Sequence, residues 1–420
     1  MIDLKYVRAN VDAYKLNIEQ RNLKVDLDAF LEMDKEILSL NQELDNLRNQ
    51  KNVVSKLIPT LGNEEKQEKI AEMKTLGDDI KSLEEKLSIL LPKYNSVLYR
   101  LPNVLDPTAS IGKTDEDNLV VGKFLEPTKF DFEPKTHYEI GETKGWIDTE
   151  KGSEVSGARF WYLKGDLVFL QFAIVNYAIS KLASKGFSPI LPPVLVREQA
   201  MFGTGFLPAG EDGTYRVNEN DDDLYLVGTA EVPVTSYHSN EILDNLDSPI
   251  KYVGYSPCFR KEAGSAGKDM RGILRVHQFD KVEMVCFCKP EDSQALHDEM
   301  VALEEEIWQG LGIPYNKLNV CSGDLGNPAM KKYDLEAWMP GQQKYREVTS
   351  CSNVGEYQSR RLGIRYRDEN GKTQYVHTLN GTVIALSRCL IAIIENYQTA
   401  NGDVVIPEIL KPFMGGKEII

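Results

Sequence analysis

The first 110 residues carry a repeat that leaves little choice of fold. Phe30, Met33, Ile37, Leu40, Leu44, Leu47, Lys51, Val54 and Ile58 recur three and four apart. Met73, Leu76, Ile80, Leu83, Leu87, Leu90, Tyr94 and Val97 do the same. Apolar residues at that spacing form a seam along an α-helix, and two such seams close on each other as a coiled coil. Lys51 is the one charged interruption. Pro59-Thr-Leu-Gly62 separates halves of similar length, and proline with glycine stops a helix and turns the chain. The pattern predicts an antiparallel helical hairpin of roughly 45–50 Å, an arm too thin to be a globular domain. Such an arm either dimerises or reaches for a partner. Near its tip Arg48, Lys51, Lys56, Lys66 and Lys69 outnumber Glu64, Glu65 and Glu68. That excess suits a phosphate backbone and equally a solvated helix face.

The remaining chain, out of 420 residues, is long enough for a substantial second core, and 42% apolar with 27% charged residues is the balance of a globular protein. No uninterrupted apolar run approaches a membrane span. The start, Met-Ile-Asp-Leu-Lys, lacks a signal core, so a cytoplasmic protein with no membrane partner is expected. Six cysteines (Cys258, Cys286, Cys288, Cys321, Cys351 and Cys389) form no metal or disulfide framework and read as buried thiols in a reducing compartment. Five histidines offer no histidine-rich metal centre, and no zinc is expected. A net charge of −15 argues against nucleic acid only on average, because phosphate contacts depend on local patches.

The helical pattern ends at Leu101-Pro-Asn-Val-Leu-Asp-Pro107, which gives an arm over residues 1–110 and a body over 111–420. Leu167–Lys185 reads as an amphipathic helix, Gly186–Leu195 as a proline-crowded strand, and Asp292–Leu311 and Gly381–Tyr397 as helices, the latter opening as a strand. Strands joined by hairpins with helices on one side predict an α+β fold built on an antiparallel sheet. The most informative pair of strands, Tyr252–Arg260 and Leu274–Met284, flanks a cationic loop containing Gly264, Gly267, Lys268, Arg271 and Gly272. Arg260 and Glu262 would share one face, and Arg275, Phe279 and Glu283 another parity of the return strand. Guanidinium groups, an aromatic plane and carboxylates on such a face suit a nucleotide, although a hairpin with surface charges reads similarly. Neither a GxGxxG nor a GxxxxGK[ST] motif occurs, so the site is neither Rossmann nor P-loop.

Three further clusters complement the hairpin. Thr229-Ala230-Glu231 follows a strand and could hold the polar groups of an amino acid or cap a helix. Glu347-Val348-Thr349-Ser350 offers hard oxygens for Mg²⁺ beside phosphates, or the outer face of an edge strand. His377-Thr-Leu-Asn380-Gly-Thr382 runs into Arg388, a candidate phosphate cation or a solvated arginine on a core helix.

Taken together these segments resemble the class II aminoacyl-tRNA synthetases. Phe259-Arg-Lys-Glu262 resembles their motif 2, Gly381…Arg388 their motif 3, and the strand around Pro192 and Pro193 with the preceding helix their motif 1. Gly157-Ala-Arg-Phe160, Thr229-Ala-Glu231, Arg271-Gly-Ile-Leu-Arg275-Val-His-Gln-Phe279 and Thr378-Leu-Asn-Gly-Thr382 are similar to the bacterial seryl-tRNA synthetase family, as is the arm. The resemblance implies a two-step ligase acting on L-serine, ATP and tRNA(Ser), with tRNA(Sec) as a further acceptor, and a homodimer. It implies catalytic roles for Arg260, Glu262 and Arg388. Serine would be held by Thr229, Ala230, Glu231, Arg260, Glu283, Asn380 and Thr382. ATP would meet Arg260, Lys261, Glu262, Arg275, Val276, Phe279, Arg388 and Glu347 to Ser350, with Mg²⁺ on Glu347 and Ser350. Ala385 and Ser387 stand where the class favours glycine. Two other readings stay open, a synthetase-like protein loading another acceptor and a non-catalytic coiled-coil scaffold.

Overall fold

The computed structural model describes residues 1–218, 223–244, 246–262 and 271–420. Gly264, Gly267 and Lys268 of the expected cationic loop lie outside the described residues. Contacts divide the chain into a helical unit, Asp3–Glu19 with Leu23–Leu101, and a larger unit that holds Pro102–Ile420.

In the helical unit, α1 (Leu27–Leu57, 31 residues) and α2 (Asn63–Leu98, 36 residues) form the hairpin. At 1.5 Å per residue they run about 46 and 54 Å. Asp26 starts α1 by accepting from the Ala29 amide at 3.0 Å, and the chain turns at Ile58–Thr60 before Gly62. Phe30, Ile37, Leu44 and Val54 face Leu76, Ile80, Leu83, Leu87 and Tyr94 as the buried seam. Two details depart from the heptad reading. Leu98 is buried in place of Val97. Asp34 is also buried, which a seam of apolar positions does not foresee. It survives because Arg8 donates to it twice, at 2.6 and 2.9 Å, and the Tyr94 hydroxyl once, at 2.7 Å. Tyr94 in turn stacks on Phe30 with centroids 5.0 Å apart. Lys51 lies over Gly77, whose missing side chain would stand 3.6 Å from the ammonium; a small residue opposite makes room for the charge.

The larger unit is built on eight strands: β1 (Leu119–Phe124), β2 (Ser188–Ile190), β3 (Ile250–Phe259), β4 (Gln278–Cys288), β5 (Tyr315–Asn319), β6 (Lys331–Met339), β7 (Lys344–Gly355) and β8 (His377–Ala385). They lie in the order β1-β5-β6-β7-β8-β4-β3-β2. All neighbours are antiparallel except β2 and β3, which run parallel. The return strand β4 begins at Gln278, four residues later than its composition predicts, so Arg275 sits in the bend before it. Among its helices are α3 (Asp166–Ser184), α4 (Glu231–Ser236), α5 (Ser293–Gly310), α6 (Tyr357–Leu362) and α7 (Leu386–Asn396).

Strand parity decides which side chains meet what. On β4, Val282, Met284, Cys286 and Cys288 enter the main core with Leu170 and Ile174 of α3, Met300 and Ile307 of α5, and Leu390 and Ile393 of α7. Val285 and Phe287 enter a second core with Ala230 and Val234 beside α4 and Leu362 of α6. Helices therefore cover part of both faces, a correction to the one-sided layer expected. Of the remaining positions of the second parity, Lys281 and Glu283 belong to neither apolar core, and Phe279 packs against the main core while also lining the cavity of the site. By length and composition alone, α3 would also suit a membrane span. Its Leu167, Leu170, Ile174 and Leu182 stripe is fully buried in the main core, while Phe169 and Phe172 are exposed. All six cysteines are buried and unpaired with one another.

Gly381 shows why one small residue recurs in β8. A Cβ there would come within 2.7 Å of Glu304 Oε1, an oxygen with no hydrogen-bond partner among the described residues. Burial pushes the Glu304 carboxyl well above its ordinary range. The folded chain thus binds a proton that the unfolded chain releases above about pH 4.3, so this group costs stability increasingly as pH rises from there. Glu304→Gln should remove the dependence: its melting temperature relative to the parent should climb between pH 5 and pH 8. A gap constant with pH would refute the assignment of a protonated Glu304.

Candidate active site

One cavity of about 250 Å³ gathers groups from four stretches of chain: Arg260 and Glu262 beyond β3, Arg275 to Lys281 entering β4, Glu347 to Thr349 on β7, and Thr382 with Arg388 across the β8–α7 junction. Ala385 and Ser387 line it too, small enough to leave the space open. Arg260 donates through Nε to the Gly228 carbonyl at 3.2 Å, and its guanidinium lies 5.3 Å from the Phe279 ring centre. Arg260 and Glu262 do not share a strand face as expected. The strand ends at Phe259, and Glu262 adopts a left-handed φ of 49° that swings it to Arg275, whose Nη1 it meets at 2.7 Å. That turn is what brings Arg275 into the cavity from outside the strand.

Arg388, in the first turn of α7, donates to the Glu347 carbonyl and stands 3.7 Å from its carboxylate. Desolvation pushes Glu347 up, but Arg388 first and Lys332 next outweigh it and hold the carboxyl below its ordinary range. The side chain is 51% exposed, so it can take a ligand without losing its fold contacts. Ser350 lies elsewhere, in an adjoining cavity of about 290 Å³ with Lys332, Glu231 and Asn380. No group of three or more carboxylate, histidine or thiol ligands able to hold a metal exists among the described residues. The exposed Glu347 carboxylate is a hard oxygen donor of the kind a Mg²⁺ ion accepts beside phosphate and water ligands.

At the other end, Glu283 and Thr382 are register partners on β4 and β8, and the Thr382 hydroxyl donates to Glu283 Oε2 at 3.0 Å. Lys281 pairs with the same carboxylate oxygen and donates to Thr382 Oγ1 at 3.1 Å. Thr229, itself buried, accepts through Oγ1 from the amide of Glu231, the first residue of α4, at 3.1 Å. Glu231 Oε1 accepts from Gln358 at 2.7 Å and Asn380 at 2.9 Å. Burial, helped by the charge of Glu283, pushes Glu231 up to about 7.

Two of the expected residues face away. Ala230 is fully buried and packs beneath β3 against Gly254. The Lys261 ammonium lies over Tyr215, 5.7 Å from the ring centre. Arg159, from the Gly157–Phe160 segment, lines a separate cavity of about 400 Å³ with Arg271 and Arg275. Three site residues escaped sequence reasoning. Lys281 shares parity with Phe279 and Glu283, and that alternation was the available signal. Lys332, paired with Asp334 at 3.2 Å, and Gln358, delivered by α6, had none.

An antiparallel sheet carrying one arginine at the end of a hairpin and another at a strand–helix junction, both over a single cavity, defines the class II aminoacyl-tRNA synthetase core. Residues 215–397 match the family model of the class II tRNA synthetase core domain (G, H, P, S and T), and residues 1–105 that of the seryl-tRNA synthetase N-terminal domain. The serine–tRNA ligase of Dictyoglomus turgidum is 46% identical over 423 aligned positions, covering 100% of this chain and 99% of the relative. The crystal structure of seryl-tRNA synthetase from Pyrococcus horikoshii complexed with ATP superposes with a TM-score of 0.90 at 40% identity, covering 100% of this chain and 99% of that one. Cytoplasmic serine–tRNA ligase from Naegleria fowleri in complex with AMP gives 0.85 at 36% identity, covering 99% and 96%. The chain belongs to the serine–tRNA ligase family.

Proposed function

We propose that the chain activates L-serine with ATP and transfers it to the 3′ end of tRNA(Ser). The observation that carries this reading is the meeting of Arg260, Glu347 and Arg388 in one cavity that is also lined by Thr382, the residue bonded to the buried Glu283. In the first step a serine carboxylate oxygen attacks the α-phosphorus of ATP, an oxygen–phosphorus bond forms, and pyrophosphate leaves. Such a displacement needs no protein nucleophile; positioning and charge neutralisation suffice. Arg260 would hold the α-phosphate and the serine carboxylate, with Phe279 and Val276 against the base and Glu262 near its amino group. Arg275 and Arg388 would take the outer phosphates. Glu347 would hold Mg²⁺, which neutralises phosphate charge when bound. Glu231 and Thr229 would receive the serine ammonium, and Glu283 with Thr382 its hydroxyl. In the second step a ribose hydroxyl of the terminal adenosine attacks the seryl carbonyl and AMP leaves.

Residues 1–110 would serve as the tRNA-binding arm and 111–420 as the catalytic body, in a cytoplasmic homodimer, a state the family resemblance supports. Serine-dependent exchange of pyrophosphate into ATP tests the reading. Exchange should require Mg²⁺, vanish with chelator, and run at least about 10²-fold better with serine than with alanine, threonine or cysteine. Equal rates with alanine would end the serine assignment. Exchange without charging of tRNA(Ser) would favour a ligase for another acceptor, and no exchange at all would favour the scaffold.

A further inference from the structure

Lys281 has no part in the chemistry above, yet it is only 5% exposed beside Glu283 at 1%. Burying an ammonium is costly unless it is paired and hydrogen-bonded, and here both conditions are met by groups of the hydroxyl pocket. Its Nζ contacts Glu283 Oε2 and donates to Thr382 Oγ1 at 3.1 Å, while Thr382 Oγ1 donates to the same Oε2 at 3.0 Å. The directions of these bonds are forced. An ammonium offers donors only and an ionised carboxylate acceptors only. The single hydroxyl proton of Thr382, set between them, must go to Glu283, and its oxygen must accept from Lys281. Without the ammonium that hydroxyl could rotate and donate elsewhere, and Glu283 would lose its counter-ion beside Glu231, whose Oε1 is already committed to Gln358 and Asn380.

We propose that Lys281 is a positioning residue that sets the hydrogen-bond polarity of the amino-acid pocket. By committing the Thr382 proton to Glu283 Oε2 it leaves Oε1, which takes no part in the triad, as the acceptor for the substrate. The pocket then recognises the serine side chain as a proton donor. Alanine leaves that buried oxygen without a partner, and a thiol is a poor donor for it. The proposal rests on the serine-activating reading, and it adds the device by which that pocket rejects isosteres.

Serine- and alanine-dependent pyrophosphate exchange are compared in the intact protein, Lys281→Met and Lys281→Arg. For Lys281→Met, KM for serine should rise about 10²-fold and the serine-to-alanine preference should fall at least about tenfold, while KM for ATP stays within about threefold. Lys281→Arg keeps the charge and the donors and should regain part of the preference. A Lys281→Met protein whose serine-to-alanine preference stays within about twofold of the parent overturns the proposal, whatever its absolute rate. A second measurement needs no variant and keeps the proposal open to refutation even where Lys281→Met does not fold. β-Chloroalanine places a somewhat larger polar group where serine carries its hydroxyl and has no side-chain proton to donate, and in the unmutated protein it should support exchange about 10³-fold more weakly than serine. Exchange within about tenfold of serine would overturn the donor reading. Absence of serine exchange in the unmutated protein would instead refute the function on which the proposal stands.

Discussion

Glu283→Ala is expected to lower serine-dependent pyrophosphate exchange by about 10³-fold or more, because a site built to hydrogen-bond a hydroxyl loses both the bond and its discrimination. The change also strands Lys281 as a buried, unpaired ammonium, at a cost to stability of about 3–5 kcal/mol. Activity is therefore referred to the folded fraction measured by thermal unfolding. Glu283→Gln separates the two effects: it keeps an oxygen acceptor and the shape of the side chain and loses the charge, so it should fall between parent and alanine in rate. Near-parental exchange by folded Glu283→Ala would remove the pocket assignment outright.

Shortening the arm should leave exchange within about twofold while reducing kcat/KM for tRNA(Ser) charging on the order of 10²-fold or more, each tenfold step corresponding to about 1.4 kcal/mol of lost contact. The contacts between α1 and α2 show where to cut. Arg48 meets Glu84 at 2.8 Å, Asp34 meets Tyr94 at 2.7 Å, and Lys51 lies over Gly77. Residues 41–87 can therefore be replaced by a short glycine-rich turn that removes both helices to one level. The base of the hairpin stays intact, with Phe30 stacked on Tyr94 and Asp34 held by Arg8. Charging at the parental rate by this protein would reduce the arm to a structural coiled coil, and loss of exchange would mean that it supports the catalytic unit itself.

Much of this molecule could be read from its amino acids because local rules govern the relevant parts. The arm needed only helical periodicity and a Pro–Gly stop, and its two departures are instructive. Asp34 could be buried because Arg8 lies upstream in the chain and Tyr94 faces it across the hairpin, partners that a repeat along one helix does not reveal. In the body, β-prone composition placed β3 and β4, yet the end of β3 depended on Glu262 taking a left-handed backbone to reach Arg275. Composition also extended β4 backwards through Leu274–His277, which the structure holds as a bend.

Side-chain chemistry at Arg260, Phe279, Glu283, Glu347, Thr382 and Arg388 could be assigned from residue type and motif, since each carries its charge, plane or hydroxyl wherever it lies. That all but the buried Glu283 line one cavity, with Glu283 bonded to Thr382 of its wall, that Ser350 belongs to its neighbour, and that Ala230 and Lys261 turn away depend on strand register and on which face the helices cover. Lys281 marks the division. Its parity was visible along the strand, but its meaning required Thr382, 101 residues away, to arrive directly beside Glu283 through the pairing of β4 with β8. Periodicity and residue chemistry act over a few neighbours and are written in order along the chain. Convergence is a long-range outcome of burial and hydrogen-bond pairing, and it exists only once the sheet has closed.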